Sequence, residues 1–189
     1  MKESLRKRIR QRLADMDPTV RHAKSMAACK KLLDQPEFAT ADVLMVYLPL
    51  PTEVDTTPIV LRSWQLQKTL TAPRLSWDLR HMLPVEIRSL DTDVVETRYG
   101  LREPVGGEPL PVEMLALVVV PALAYDRKGN RLGRGAGFYD RFLGSPQFKG
   151  KTVGLAFQEQ LVDALPTTEN DRPVDLLVTD EEVLRFARL

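Results

Sequence analysis

The run Leu117-Val118-Val119-Val120, closed by Pro121, is apolar at every position and mostly β-branched. A strand with no polar face has to be covered on both sides, which places it in the middle of an α/β sheet. A charged turn follows, Asp126-Arg127-Lys128-Gly129-Asn130, and then Arg131-Leu132-Gly133-Arg134-Gly135-Ala136-Gly137. Phe138-Tyr139-Asp140-Arg141-Phe142-Leu143 is suited to begin a helix. The order is central strand, glycine-rich loop, helix N-terminus.

That order suits phosphate binding. Glycine lets the backbone take positive φ and approach a ligand closely. Successive N–H groups then converge on an anion, helped by the free donors and positive end of the next helix. Four of the chain's ten glycines fall in the nine positions 129–137. Arg127, Lys128, Arg131, Arg134 and Arg141 lie in or beside the span and supply charge for a polyphosphate. Asp140 stands where a carboxylate can hold the Mg²⁺ of a nucleotide. A basic surface turn before a helix is the competing reading of the same residues. Neither the GxxxxGK[ST] loop nor the GxGxxG dinucleotide fingerprint is present, since the third glycine falls two residues after the second.

The rest of the chain reads as alternating helices and strands. Strands are expected near 43–48, 69–72, 82–87, 117–121, 152–157 and 175–179. Helices are expected over 1–16, from Pro18 to about Leu33, over 58–67 with Thr57 as cap, from Phe138, from Gln158 to Leu165, and over 180–188. Residues 88–114 read as a polar loop, with Tyr99-Gly100-Leu101-Arg102-Glu103-Pro104 given no chemical role. The pattern implies one domain, 1–189. Its fold class is a three-layer α/β/α sandwich on a mostly parallel, Rossmann-like sheet.

Net charge is +1, so the molecule has no bulk field for nucleic acid or membrane. Cys29, the one cysteine, excludes an internal disulfide and reads as a small core filler. With no apolar stretch of bilayer length and no signal segment, a soluble cytoplasmic protein is expected. Trp64 reads as core, and His22 and His81 have no partners at ligand spacing. Trp77 is a weaker candidate to stack on a planar ring. Six of the first twelve residues are Lys or Arg. That helix can present a solvated basic face, a nucleic-acid arm or a phosphate-contacting surface. Glu53 lies between a strand end and a helix start, where open α/β sheets place ligands. It can accept hydrogen bonds from ring N–H groups, or be an exposed loop acid.

RLGRGAGFYDRFL, preceded by VPALAYDRKGN, resembles the signature of the 5-formyltetrahydrofolate cyclo-ligase family, and the likeness extends over nearly the whole chain. The family couples ATP hydrolysis to closure of 5-formyltetrahydrofolate into 5,10-methenyltetrahydrofolate. The resemblance implies that Lys2, Arg6, Arg131, Leu132, Gly133, Arg134, Gly135, Ala136, Gly137, Phe138 and Tyr139 contact ATP. It places Leu48 and Glu53 at the folate, and Asp140 and Asp171 at Mg²⁺, with Arg134 and Tyr139 catalytic. It implies ATP and a folate, with or without a polyglutamate tail, as the small-molecule partners; a monomer that binds neither nucleic acid nor membrane is expected. Two departures stand out: Phe138 replaces a frequent tyrosine, and Asn170 precedes Asp171 where histidine is common. Pro49 and Pro51 also stiffen a loop that is often less proline-rich. Two other readings stay open: a relative of the fold that binds ATP or folate in another cofactor pathway, and a nucleic-acid module built on the basic helix.

Overall fold

A computed structural model describes residues 2–97 and 100–187. Tyr99, Arg188 and Met1 lie outside them. The frame is a seven-stranded sheet assembled from β1 (Val43–Met45), β2 (Thr69–Ser76), β3 (His81–Glu86), β6 (Leu117–Val120), β9 (Lys151–Leu155), β11 (Leu176–Val178) and β12 (Val183–Arg185). Their spatial order is β12-β11-β9-β6-β1-β2-β3, parallel through the middle and antiparallel at both edges.

The valine run shows why two layers of helix are required. Leu117 and Val119 pack into one core with α1 (Lys2–Ala14), α2 (Pro18–Leu33) and α4 (Thr57–Gln65), through Ile9, Leu13, Leu32 and Ile59. Val118 and Val120 pack into a second core with Phe138 and Phe142 of α5 (Phe138–Leu143) and with Tyr125. Side chains alternate across a strand, so a run apolar at every residue feeds both cores. Asp17 caps α2 through the N–H groups of Thr19 and Val20, with Pro18 at the first helical position. At α4 the cap lies one residue earlier than expected, at Thr56, and Asp55 Oδ1 takes the Thr57 N–H at 3.0 Å. A short α3 (Pro36–Thr40) precedes β1.

Four further expectations are corrected. The helix expected over 180–188 does not form over its described part, 180–187: Thr179 Oγ1 accepts from the N–H groups of Glu181 and Glu182, reversing the chain so that Val183 pairs with Val178. Residues 69–72 are only the start of β2, which continues to Ser76. Pro73 stands opposite Pro84 in that pairing, at a position where neither needs to donate. Within 88–114 the chain forms a hairpin of β4 (Val94–Glu96) and β5 (Arg102–Pro104) and one 3-10 turn, Val112–Met114. Gln158–Gln160 is also a single 3-10 turn. It leads into β10 (Leu161–Val162), which joins β7 (Ala124–Asp126) and β8 (Arg131–Leu132) in a small second sheet. Among the described residues no helix is long and apolar enough to cross a membrane.

Candidate active site

The central parallel strands β1 and β6 run into Tyr47-Leu48 and Pro121-Ala122, and these residues floor a cleft of about 290 Å³. The glycine loop forms one wall, and Leu75, Trp77 and Met82 of the β2–β3 ribbon face it. Lys2 and Arg6 line it as well, and so do Leu101, Arg102 and Glu103. Ligands collect at such strand ends because the loops there diverge and leave a crevice.

β8 delivers the loop and α5 receives it. Gly135 and Gly137 have φ of 117° and 71°, backbone that a side chain strongly disfavours. Among the described residues, no acceptor takes a backbone N–H from Gly133 to Phe138. These donors are available for an anion. The loop is braced from outside: Arg6 Nε donates to the Gly133 carbonyl at 3.0 Å, and Arg141 Nη1 donates to the Ala136 carbonyl at 2.9 Å. Leu132 is buried beneath the loop, and Ala136 is exposed on it.

Of the five cations around the loop, Arg131 and Arg134 line the cleft. Arg127, Lys128 and Arg141 do not: Arg127 turns to Glu182 at 3.1 Å and Arg141 braces the loop. Arg134 donates through Nε and Nη2 to Glu53 Oε1, at 3.2 and 2.9 Å. Glu53 Oε2 accepts the Leu50 N–H at 2.9 Å, which fixes the proline-rich loop after β1. The Tyr47 hydroxyl donates to the Val54 carbonyl, and Thr56 donates back to the Tyr47 carbonyl, pinning that loop from below. Arg131 is almost wholly buried, with Nη2 on Asp140 Oδ1 at 2.6 Å and Nε on the Arg172 carbonyl. Asp140 Oδ1 also accepts the Arg172 N–H, which ties the glycine loop to the Asp171 segment. Lys2 Nζ meets Asp171 Oδ2 at 2.9 Å. Burial pulls the Asp171 carboxyl upward, but the Lys2 ammonium and the Thr168 N–H outweigh it and hold it below the ordinary carboxylate value.

Phe138 packs edge-on to Trp77 with ring centroids 5.1 Å apart. The Tyr139 hydroxyl is buried at the cleft and, among the described residues, has no hydrogen-bond partner. Burial, and then the Glu53 charge, push its phenol well above its usual value, and burial raises Tyr47 and Tyr125 likewise. These phenols favour the neutral form when folded, so the stability they confer is present below about pH 10 and is lost as pH rises beyond it. A titration followed at 295 nm is therefore expected to leave at least three of the four tyrosines protonated at about pH 10.5. Ionisation of all four there, with the chain still folded, would contradict the burial.

The structure thus gathers Lys2, Arg6, Leu48, Glu53, the residues from Arg131 to Tyr139, Asp140 and Asp171 around one cleft. Sequence reasoning did not single out Tyr47, Met82, Arg102 or Glu103. The Glu103-Pro104 step was visible, but nothing along the chain places it in the same cleft as the glycine loop. His22 is exposed, and His81 is exposed at the β3 start, away from the cleft. Cys29 is buried, donates to the Asp55 carbonyl, and has its thiol pushed up to about 12 by burial, so it behaves as core.

A model of the 5-formyltetrahydrofolate cyclo-ligase family matches residues 1–180. A protein named 5-formyltetrahydrofolate cyclo-ligase in Haemophilus influenzae is 33% identical, the match covering 94% of this chain and 97% of that one. The Mus musculus protein of the same name is 28% identical, over 95% of this chain and 94% of its own. The solution structure of Aquifex aeolicus 5,10-methenyltetrahydrofolate synthetase superposes with a TM-score of 0.86 at 31% identity, covering 100% of this chain and 94% of that one. The match over 1–180 of 189 residues makes this chain a member of the 5-formyltetrahydrofolate cyclo-ligase family of enzymes.

Proposed function

We propose that the chain uses ATP to close 5-formyltetrahydrofolate into 5,10-methenyltetrahydrofolate, releasing ADP and phosphate. One observation carries the reading: the unclaimed amides of the glycine loop share a cleft with Lys2, Arg6, Arg134 and Glu53. The oxygen of a formamide is a poor leaving group. Transfer of the γ-phosphoryl to that oxygen gives an iminium phosphate, and the N10 lone pair then attacks the formyl carbon. The C–O bond breaks, phosphate leaves with the oxygen, and the N10 proton passes to solvent.

Protein work in such a transfer is positioning and charge neutralisation. Arg134 takes the transferring phosphoryl, and the loop N–H groups cradle its neighbours. Lys2 and Arg6 answer the remaining phosphates, with Arg131 set behind them by Asp140. Leu48 and Glu53 meet the folate, and Tyr139 offers its unpartnered hydroxyl beside the formyl group. The donor set fits Mg²⁺: Asp140 Oδ2 and Asp171 Oδ1 lie outside the contacts with Arg131 and Lys2. The Arg172 N–H bond to Asp140 keeps the two carboxylates near each other. Mg²⁺ typically binds one or two carboxylates together with nucleotide phosphates, whose charge it neutralises.

The test is the methenyl chromophore. Absorbance is expected to rise when 5-formyltetrahydrofolate and Mg-ATP are both present and to stay flat without ATP. Product without ATP, or none with it, would refute the assignment.

A further inference from the structure

Glu103 belongs to the same cleft but to none of the roles above. Its side chain projects from β5 and the residue is only 7% exposed. Among the described residues no cation pairs with it. A carboxylate this buried, without a countercharge, is costly unless hydrogen-bond donors surround it. The protein supplies two: the Leu75 N–H on Oε2 at 3.0 Å and the Thr97 hydroxyl on Oε1 at 2.9 Å. Each oxygen can accept a further bond. Glu53, by contrast, already takes two guanidinium N–H groups on Oε1 and the Leu50 N–H on Oε2, at three distances of 3.2 Å or less.

We propose that Glu103 is a substrate-binding residue, which takes the donor edge of the folate's bicyclic ring. This rests on the cyclo-ligase reading. The amino-pyrimidinone end of a pterin presents its N3–H and 2-amino N–H side by side, a guanidine-like pair that matches the two oxygens of one carboxylate. The surroundings suit that occupant. Leu75, Trp77 and Met82 supply apolar contact for ring faces, while Lys2 is engaged by Asp171 and Arg6 by the Gly133 carbonyl, neither of them by Glu103. Glu53 is left to hold Arg134 and to meet the reduced ring. The carboxylate is also pre-set, because its two protein donors come from different elements, β2 and the segment after β4.

The experiment measures equilibrium binding of 5-formyltetrahydrofolate and, separately, of a non-hydrolysable Mg-ATP analogue to the wild-type chain, Glu103→Gln and Thr97→Val. Glu103→Gln is expected to weaken the folate about tenfold or more, the size of a lost hydrogen-bond pair to a charged group. Its nucleotide affinity is expected to stay within about twofold, and Thr97→Val to change folate affinity by about threefold at most. A folate analogue with methyl in place of the 2-amino group separates recognition from a merely structural tie. The wild type is expected to discriminate against it, and Glu103→Gln to lose that discrimination. Should Glu103→Gln melt too low to titrate, Glu103→Asp serves the same comparison, with folate weakened and nucleotide unchanged. Wild-type folate affinity in either variant, unchanged discrimination, or equal loss of both ligands would overturn the proposal. A wild-type chain that binds nucleotide but no folate would instead refute the cyclo-ligase reading itself.

Discussion

Arg134→Ala is expected to lower turnover by about three orders of magnitude or more, the scale on which a phosphoryl-directed arginine acts. The fold should survive. Arg134 holds no core contact, its side chain is 40% exposed, and its polar partner is Glu53 on another loop. An ion pair so open to water stabilises by no more than about 1 kcal/mol. Lysine at the same position retains charge but not the planar fork, so Arg134→Lys is expected to recover only a minor part of the rate. The measurement is the rate of methenyl absorbance at saturating ATP, beside a melting curve. Near-normal turnover in Arg134→Ala would remove Arg134 from the mechanism. A collapse of the melting curve would mean that its role is structural.

Gly154→Ala is expected to destabilise the protein by roughly 2–4 kcal/mol, the overpacking of a rigid core adding to disruption of a central strand. Gly154 lies in β9 between β6 and β11, where a glycine usually marks a close approach. An added Cβ would stand 2.5 Å from Tyr125 Cε1 and 2.8 Å from its Cζ. The ring cannot swing aside, because Tyr125 is fully buried and its hydroxyl donates to the Val120 carbonyl. Relief would have to come from the strands themselves. Denaturant unfolding of the variant checks this, and a loss below about 0.5 kcal/mol, the level of a neutral surface change, would show that the ring has room.

Much of the frame is legible along the chain. Asp17-Pro18 announces α2 because a carboxylate cap and a proline at the first helical position act within one turn. The valine run announces its strand because apolarity without alternation requires cover on both faces. Where the reading failed, longer-range geometry decided. Residues 180–188 have helix-forming composition, yet the hydroxyl of Thr179 closes a turn and β11 offers an open edge, so Val183–Arg185 pairs instead. The strand from Thr69 continues through Pro73 because its partner at that register is another proline.

The loop geometry followed from local order alone: glycine spacing fixes which residues can take positive φ, and a helix start supplies free N–H groups. Which cations line the cleft did not follow. Arg127 and Arg131 are four residues apart, and a β-turn sends one to Glu182 and the other beneath the loop to Asp140. Residues distant in sequence were placed by packing: Lys2 against Asp171, Arg134 against Glu53, and Glu103 under Leu75. Amino-acid order by itself determined six of the seven strands of the main sheet, the amide-rich loop and the family likeness, since those depend on neighbours a few residues away. The tertiary structure alone decided which carboxylates of the cleft meet a cation and that, among the described residues, Glu103 meets none, because charge pairing depends on distance in space.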